Sequence, residues 1–254
     1  MDNRWKLILS PARDGFFHMA LDEMLIGIAR ETGDTFLRFY SWKPPCVSIG
    51  MLQDTEGVDT QKILSFGYQI VRRPTGGRAV LHKDEITYST IFPPGHPITT
   101  LSTIESYRLI SRALIKGLIS LGVPAELSRG KSGYERNVSC FASTSRYEIT
   151  LFGRKLVGSA QRRTHKALLQ HGSILTDYDE KSWDSIKTGE VQPSTIKEAL
   201  GYIPTFNEIA NALAEGFKEL FDVELDPVSD NSFLSQKLEK LIEEKRRFST
   251  EIQQ

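Results

Sequence analysis

The sequence predicts an α+β fold, a mixed or antiparallel sheet packed with helices, and three observations carry that reading. Strand-like runs come in groups, at 68–72, 78–82 and 86–92 and again at 147–152, 155–160 and 168–175, rather than alternating singly with helices. Gly153-Arg154 sits between two of these runs as a hairpin turn. The helices between and after the groups open on capping boxes, Ser102-Thr103-Ile104-Glu105 and Thr205-Phe206-Asn207-Glu208.

The elements follow in order. After Asp14-Gly15, Phe17, Leu21, Met24, Leu25 and Ile28 recur at helical spacing, which predicts an amphipathic helix over 16–29, ended by Thr32-Gly33. Phe36–Tyr40 reads as a strand, and Cys46–Ile49 as another after Pro44-Pro45. The helix after Ser102 buries Tyr107, Ile110, Leu114, Leu118 and Leu121 and stops at Gly122 and Pro124. The second capping box opens a helix to about Phe221, and a charged helix covers 233–247. With no strong linker, residues 1–254 read as a single domain with a helical C-terminal tail from about 205.

Composition narrows the class of protein. Of 254 residues 39% are hydrophobic and 25% charged, enough for a sizeable core, and no apolar run approaches the roughly 20 residues that span a bilayer. Met1–Ser10 lacks a signal-peptide layout, and two cysteines far apart in sequence, Cys46 and Cys140, argue against a disulfide framework and fit a reducing compartment. A cytoplasmic, monomeric protein is expected. The net charge of zero gives no reason to expect nucleic acid or membrane as a partner. Its distribution is uneven: 129–166 hold nine Lys/Arg against two acids, while 177–254 hold nine against seventeen. A basic middle suits an acidic partner; charge alone favours that no more than solvated turns.

Two segments carry chemistry. In Arg72-Arg73-Pro74-Thr75-Gly76-Gly77-Arg78-Ala79-Val80-Leu81-His82 a glycine pair between strands lets backbone approach a ligand, and the arginines offer planar donors. The spacing fits neither a phosphate loop nor a dinucleotide fingerprint. The second segment, Gly153–Arg163, places Lys155 where a turn gives way to a strand, then the small stretch Gly158-Ser159-Ala160 and Gln161; Gln170-His171-Gly172 follows. Taken alone, Gly76-Gly77 is a tight turn and Lys155 a solvated charge. His82 and His171 invite a Cys–His hydrolase reading with Asn137 as orienter, but a hydrogen-bonded strand residue beside a pocket is the plainer account. Five scattered histidines and two cysteines form no metal-ligand spacing.

Together the two segments resemble the biotin/lipoate protein ligase catalytic-domain family, whose fold is related to class II aminoacyl-tRNA synthetases. The glycine-rich arginine motif matches Arg73–His82 and the lysine motif Gly153–Gln161, and the similarity runs from about Trp5 to Phe221. His18 stands where the family usually has Asn. The ATP-dependent lipoate ligases usually carry a third glycine where this chain has Arg78, and an Asn-Asp pair where it has Ser145-Arg146-Tyr147-Glu148. Asn137-Val138-Ser139-Cys140-Phe141-Ala142 is instead similar to the cysteine loop of the family's octanoyl-[acyl carrier protein]:protein N-octanoyltransferases.

The resemblance implies Cys140 as acyl-thioester nucleophile and Lys155 as its activator. It implies substrate contacts from Arg73, Gly76, Gly77, Arg78, Val80, His82, Val157, Gly158, Ser159, Ala160, Gln161, His171 and Gly172, with Val80, Val157 and Leu169 walling an acyl slot. It further implies octanoyl-acyl carrier protein as donor, a lipoyl domain such as that of glycine cleavage H protein as acceptor, and chemistry without cofactor or metal. An ATP-dependent lipoate ligase and a non-catalytic acyl-binding protein are the competing expectations. Cys46 reads as a core strand residue.

Overall fold

A computed structural model describes residues 3–55, 58–128, 148–183, 186 and 192–253. The strands are β1 (Arg4–Leu9), β2 (Phe36–Tyr40), β3 (Cys46–Ile49), β4 (Gln69–Arg72), β5 (Val80–His82), β6 (Glu85–Phe92), β7 (Glu126–Leu127), β8 (Ile149–Leu151), β9 (Arg154–Thr164), β10 (Ala167–Leu175) and β11 (Glu224–Pro227). The helices are α1 (Gly15–Thr32), α2 (Thr60–Ser65), α3 (Pro97–Thr100), α4 (Thr103–Ser120), α5 (Glu180–Trp183), α6 (Ile196–Leu200), α7 (Phe206–Phe221) and α8 (Gln236–Glu251), with a 3-10 turn at Asp230–Phe233. The α+β class is as the sequence indicated.

Among the described residues eight strands form one mixed sheet in the order β11-β1-β2-β6-β10-β9-β8-β7, and β4-β3-β5 form a second. β1 runs parallel to both β2 and β11, whereas β2, β6, β10, β9, β8 and β7 pair antiparallel in turn. Antiparallel pairing follows from tight turns. Phe152 and Gly153 turn β8 into β9, and His165 and Lys166 turn β9 into β10; all four have positive φ, the geometry of a two-residue hairpin turn.

Each face of the large sheet is covered differently. Alternation sends Leu37, Phe39, Phe92, Leu168 and Ile174 into one cluster with Ile110, Leu114, Leu213 and Phe217 of α4 and α7. The opposite face sends Phe36, Ile91, Ala167 and Leu169 against Leu21, Leu25 and Ala29 of α1, which α8 backs through Leu238. Beside α1 the small sheet packs Val47, Ile70 and Leu81 against Leu175 and Trp183.

Both expected capping boxes are formed, at Ser102 with Glu105 and at Thr205 with Glu208. α1 is capped by the Asp14 side chain, which accepts from the Phe17 amide, and ends on left-handed Gly33. In α1, Phe17, Leu21, Met24 and Leu25 are buried as expected and Ile28 partly so; in α4, Tyr107 and Leu121 are only partly buried. The final helix starts later than its charge pattern suggests, because Ser235 caps it by accepting from Leu238. Cys46 is a core strand residue, fully buried, its thiol pKa pushed well up by desolvation. β1 and β11 were not legible as strands. Among the described residues no helix is long and apolar enough to cross a membrane.

Candidate functional site

Where α1, the small sheet and the large sheet meet, a cleft opens to solvent. Its walls are Met19 of α1, Tyr40 of β2, Trp42 and Val80. The large sheet contributes Thr87, His171 and Ser173, with Gly158 and Ala160 opposite them in register. That register explains the small residues: side chains at 158 and 160 would project from the cleft face, so Gly and Ala leave room there. Trp42 stacks on His82, centroids 4.0 Å apart, and donates its indole N–H to Thr87 Oγ1 at 2.8 Å.

Polar groups around the cleft are buried and hydrogen-bonded to one another in two clusters, one around Asp22 and one around His82. Asp22 sits on α1 with neither face in water. Its Oδ1 accepts from Arg38 Nη1 at 2.8 Å, and its Oδ2 from the Tyr40 hydroxyl at 3.0 Å and from His171 Nδ1 at 2.9 Å. Burial pushes the Asp22 pKa up, but the His171 hydrogen bond and the Arg38 charge outweigh it and hold the carboxyl below its ordinary range. Arg38 also meets His18 Nδ1 at 2.6 Å, while His18 Nε2 lies 2.8 Å from the Ser41 carbonyl. Burial first, then the Arg38 charge, lowers His18 well below 6.5, so the ring is neutral, donating from Nε2 and accepting at Nδ1. The residue that departs from the family pattern thus has a complete set of partners. His171 is lowered too, chiefly by burial. His82 lies 2.7 Å from Ser48 Oγ, 3.2 Å from Glu85 Oε2 and 3.1 Å from Ser173 Oγ. Both histidines are therefore hydrogen-bonded strand residues bordering a pocket, as the plainer account expected.

The glycine-rich arginine segment folds as a tight loop held by its own Arg73. Arg73 donates to the carbonyls of Gly76 and Arg78, each at 2.7 Å, and to Ser48 O at 2.9 Å. Gly77 has φ 94, and Gly50 lets it approach: a Cβ at Gly50 would lie 1.9 Å from the Gly77 carbonyl oxygen. Thr75 Oγ1 lies 2.6 Å from His171 Nε2.

Of the residues expected at a substrate site, Arg73, Val80, His82, Gly158, Ser159, Ala160, His171 and Gly172 border the cleft together. Gly76, Gly77 and Arg78 are in the adjoining loop, not in the lining. Val157 alternates onto the opposite face, in the cluster under α4 and α7. Gln161 is on that face too, donating to Ser106 Oγ and Gln170 Oε1. Leu169 packs under α1, away from the cleft. Gly172 is glycine for packing, since a Cβ would lie 2.6 Å from Gly158 O and Ser159 Oγ and 2.8 Å from the Tyr88 ring.

Lys155 is not a solvated charge. It is 2% exposed, and its Nζ lies 2.6 Å from Glu148 Oε1. An ammonium taken out of water requires an anion beside it, and Glu148 supplies one. Cys140 lies outside the described residues, as do Asn137 and Ser145-Arg146-Tyr147. Asp22, Arg38, Tyr40, Trp42, Thr87, Ser173 and Glu148 were missed by the sequence reading.

The cleft is walled largely by apolar and aromatic side chains, on a mixed sheet flanked by helices. The chain belongs to the lipoyl protein ligase A/B catalytic-domain family, whose model matches residues 14–218. It is 38% identical to the octanoyltransferase LipM of Kyrpidia tusciae, over 88% of this chain and 89% of that one. It is 34% identical to the LipM of Staphylococcus aureus over 97% of each. With relatives of that kind over nearly its whole length, the protein is an acyltransferase. Among solved structures its fold matches lipoate-protein ligase A bound with ATP, at TM-score 0.75 and 22% identity over 96% of this chain and 94% of that one. It also matches P. falciparum LipL1 in complex with lipoate, at TM-score 0.73 and 16% identity over 95% of this chain and 71% of that one.

Proposed function

We propose that the protein transfers an octanoyl group from acyl carrier protein, through a thioester on Cys140, to a specific lysine of a lipoyl domain. The observation that carries this reading is the near full-length similarity to octanoyltransferases, in a chain that places Cys140 in the segment preceding Lys155. The Cys140 thiolate attacks the thioester carbonyl of the carried octanoyl group, and the carrier leaves as a thiol after taking up a proton. The amine of the target lysine then attacks the Cys140 thioester, loses a proton, and departs as a stable amide while the Cys140 sulfur is released. Two easier transfers replace one difficult one, and the overall change from thioester to amide runs downhill without ATP.

The chemistry of the chain's residues suits these steps. A free thiol has a pKa of about 8.5, so a neighbouring cation is needed to raise its thiolate fraction at neutral pH. Lys155, held by Glu148, serves as that cation and as a donor to the developing oxyanion. Gly76-Gly77 and Ser159-Ala160-Gln161 offer backbone amides for the same oxygen. Met19, Tyr40, Trp42 and Val80 provide apolar wall for the chain, at about 0.8 kcal/mol for each CH2 buried. The basic charge of 129–166 suits an acidic carrier, and the acceptor is the lipoyl domain of glycine cleavage H protein. The protein acts as a cytoplasmic monomer of one catalytic domain.

The test is acceptor octanoylation in the absence of nucleotide. Incubation with octanoyl-carrier protein and a purified lipoyl domain, without ATP or Mg2+, should load the acceptor lysine. Loading that appears only on adding ATP would instead establish a ligase.

A further inference from the structure

Thr75 has no route to water and no role in walling the cleft, yet its hydroxyl is committed to a specific partner on another element. That partner, His171 on β10, is itself held by Asp22 on α1, with 2.6 Å on the Thr75 side and 2.9 Å on the Asp22 side. The direction of the chain is fixed by charge. Asp22 is a carboxylate with the Arg38 guanidinium against it, so it only accepts, and His171 Nδ1 must carry the proton. Burial lowers the His171 pKa and so favours the neutral ring, in which Nε2 is a bare lone pair that accepts from the Thr75 hydroxyl. Three segments distant in sequence are thereby joined by two hydrogen bonds, ending one residue before Gly76-Gly77.

Those two glycines set no conformation of their own, since neither carries a side chain and Gly77 is in the left-handed region. Several ties run to the loop's carbonyls: Arg73 to Gly76 O and Arg78 O, Arg162 to Pro74 O, and the Met51 amide to Thr75 O; Arg73 also anchors the start of the loop to Ser48 of β3. Carbonyl ties orient the acceptor side of each peptide. The Thr75 hydroxyl adds a side-chain anchor in β10, the strand whose His171 and Ser173 border the cleft.

We propose that Thr75 is a positioning residue for acyl transfer: its hydroxyl, donated to a His171 that Asp22 orients, sets the Gly76-Gly77 loop against the cleft. The inference rests on the transfer reading above, in which the amides of that loop meet the reacting carbonyl oxygen. Displacement of such donors by about 1 Å is enough to cost about a hundredfold in rate.

The experiment compares Thr75→Val, which removes the hydroxyl at nearly constant shape, with Thr75→Ser, which keeps it, in the full chain. Amide hydrogen exchange at Gly76, Gly77 and Arg78 is read together with the single-turnover rate of octanoyl capture from octanoyl-carrier protein. Thr75→Val should exchange faster and capture more slowly, each by about tenfold or more, while Thr75→Ser stays within about twofold of wild type. Wild-type behaviour in Thr75→Val overturns the proposal, as does a Thr75→Ser variant no better than Thr75→Val, which would assign the effect to methyl packing. If the wild-type protein captures no octanoyl, the transfer reading fails, and the exchange data alone decide whether the hydroxyl sets the loop. A nitrogen-15 spectrum of the wild-type His171 ring is an independent check should Thr75→Val not fold. Nδ1 protonated and Nε2 bare is the expected state; the opposite tautomer overturns the relay.

Discussion

Asp22 answers to three donors at once, Arg38, Tyr40 and His171, and all four side chains are buried. A buried pair of this kind is not in itself a strong source of stability, because both ions are desolvated. Breaking it is another matter. Asp22→Asn keeps the shape but leaves the Arg38 guanidinium without its anion, and the expected loss is about 3–5 kcal/mol in urea unfolding. A loss below about 1 kcal/mol would mean that Arg38 finds another counter-charge. Part of the cleft border was legible in the sequence: His171 and His82 read as strand residues beside a pocket. The rest was not, because Asp22 and Arg38 are brought together by the packing of α1 on β2. A signal did exist. Asp22 and Arg38 are opposite charges, each embedded in a run whose apolar neighbours imply burial, and two such charges require each other. Lys155 with Glu148 is the same lesson, since a lysine beside a turn gives no hint of burial until its strand is placed inside the sheet.

At the scale of elements, the caps and the glycines decide the geometry. Capping boxes fixed the starts of α4 and α7 within a residue, since they are local devices whose partners lie three positions apart. What the sequence did not announce is how close these two helices come. A Cβ at Gly216 would lie 2.3 Å from the Ala113 carbonyl oxygen, and one at Gly117 would lie 2.5 Å from that of Ala212. Gly216→Ala therefore sets two effects against each other. Helix propensity favours alanine by about 1 kcal/mol, whereas overpacking against backbone that cannot swing aside costs about 1–3 kcal/mol. The expected net result is a lowered urea midpoint; a raised one would show that the helices separate easily. β1 and β11 were illegible for a related reason: they are parallel partners from opposite ends of the chain, and no hairpin signal joins them.

The whole molecule carries a pH signature in its histidines. Burial lowers His18 and His171 below 6.5 and brings His96 down to about 4. The unfolded chain takes up these protons near pH 6.5, whereas the folded protein takes them up only at lower pH. In that window the unfolded state binds more protons, so stability falls as pH falls. Asp22, held below its ordinary value of 3.8, adds its loss only further into acid. Urea midpoints measured from about pH 7.5 to about pH 5 should decline steadily below about pH 6.5. A flat profile would mean that these rings gain compensating partners when protonated.

Transfer turns on Cys140 carrying the acyl group, and intact-mass measurement after mixing with octanoyl-carrier protein tests that most directly. The wild-type protein should gain one octanoyl group, discharged when a lipoyl domain is added, and Cys140→Ala should gain none. Lys155→Ala should load more slowly at pH 7, with the deficit shrinking as rising pH ionises the thiol unaided. An adduct that persists in Cys140→Ala, or a Lys155→Ala variant that loads at the wild-type rate at pH 7, would contradict the account.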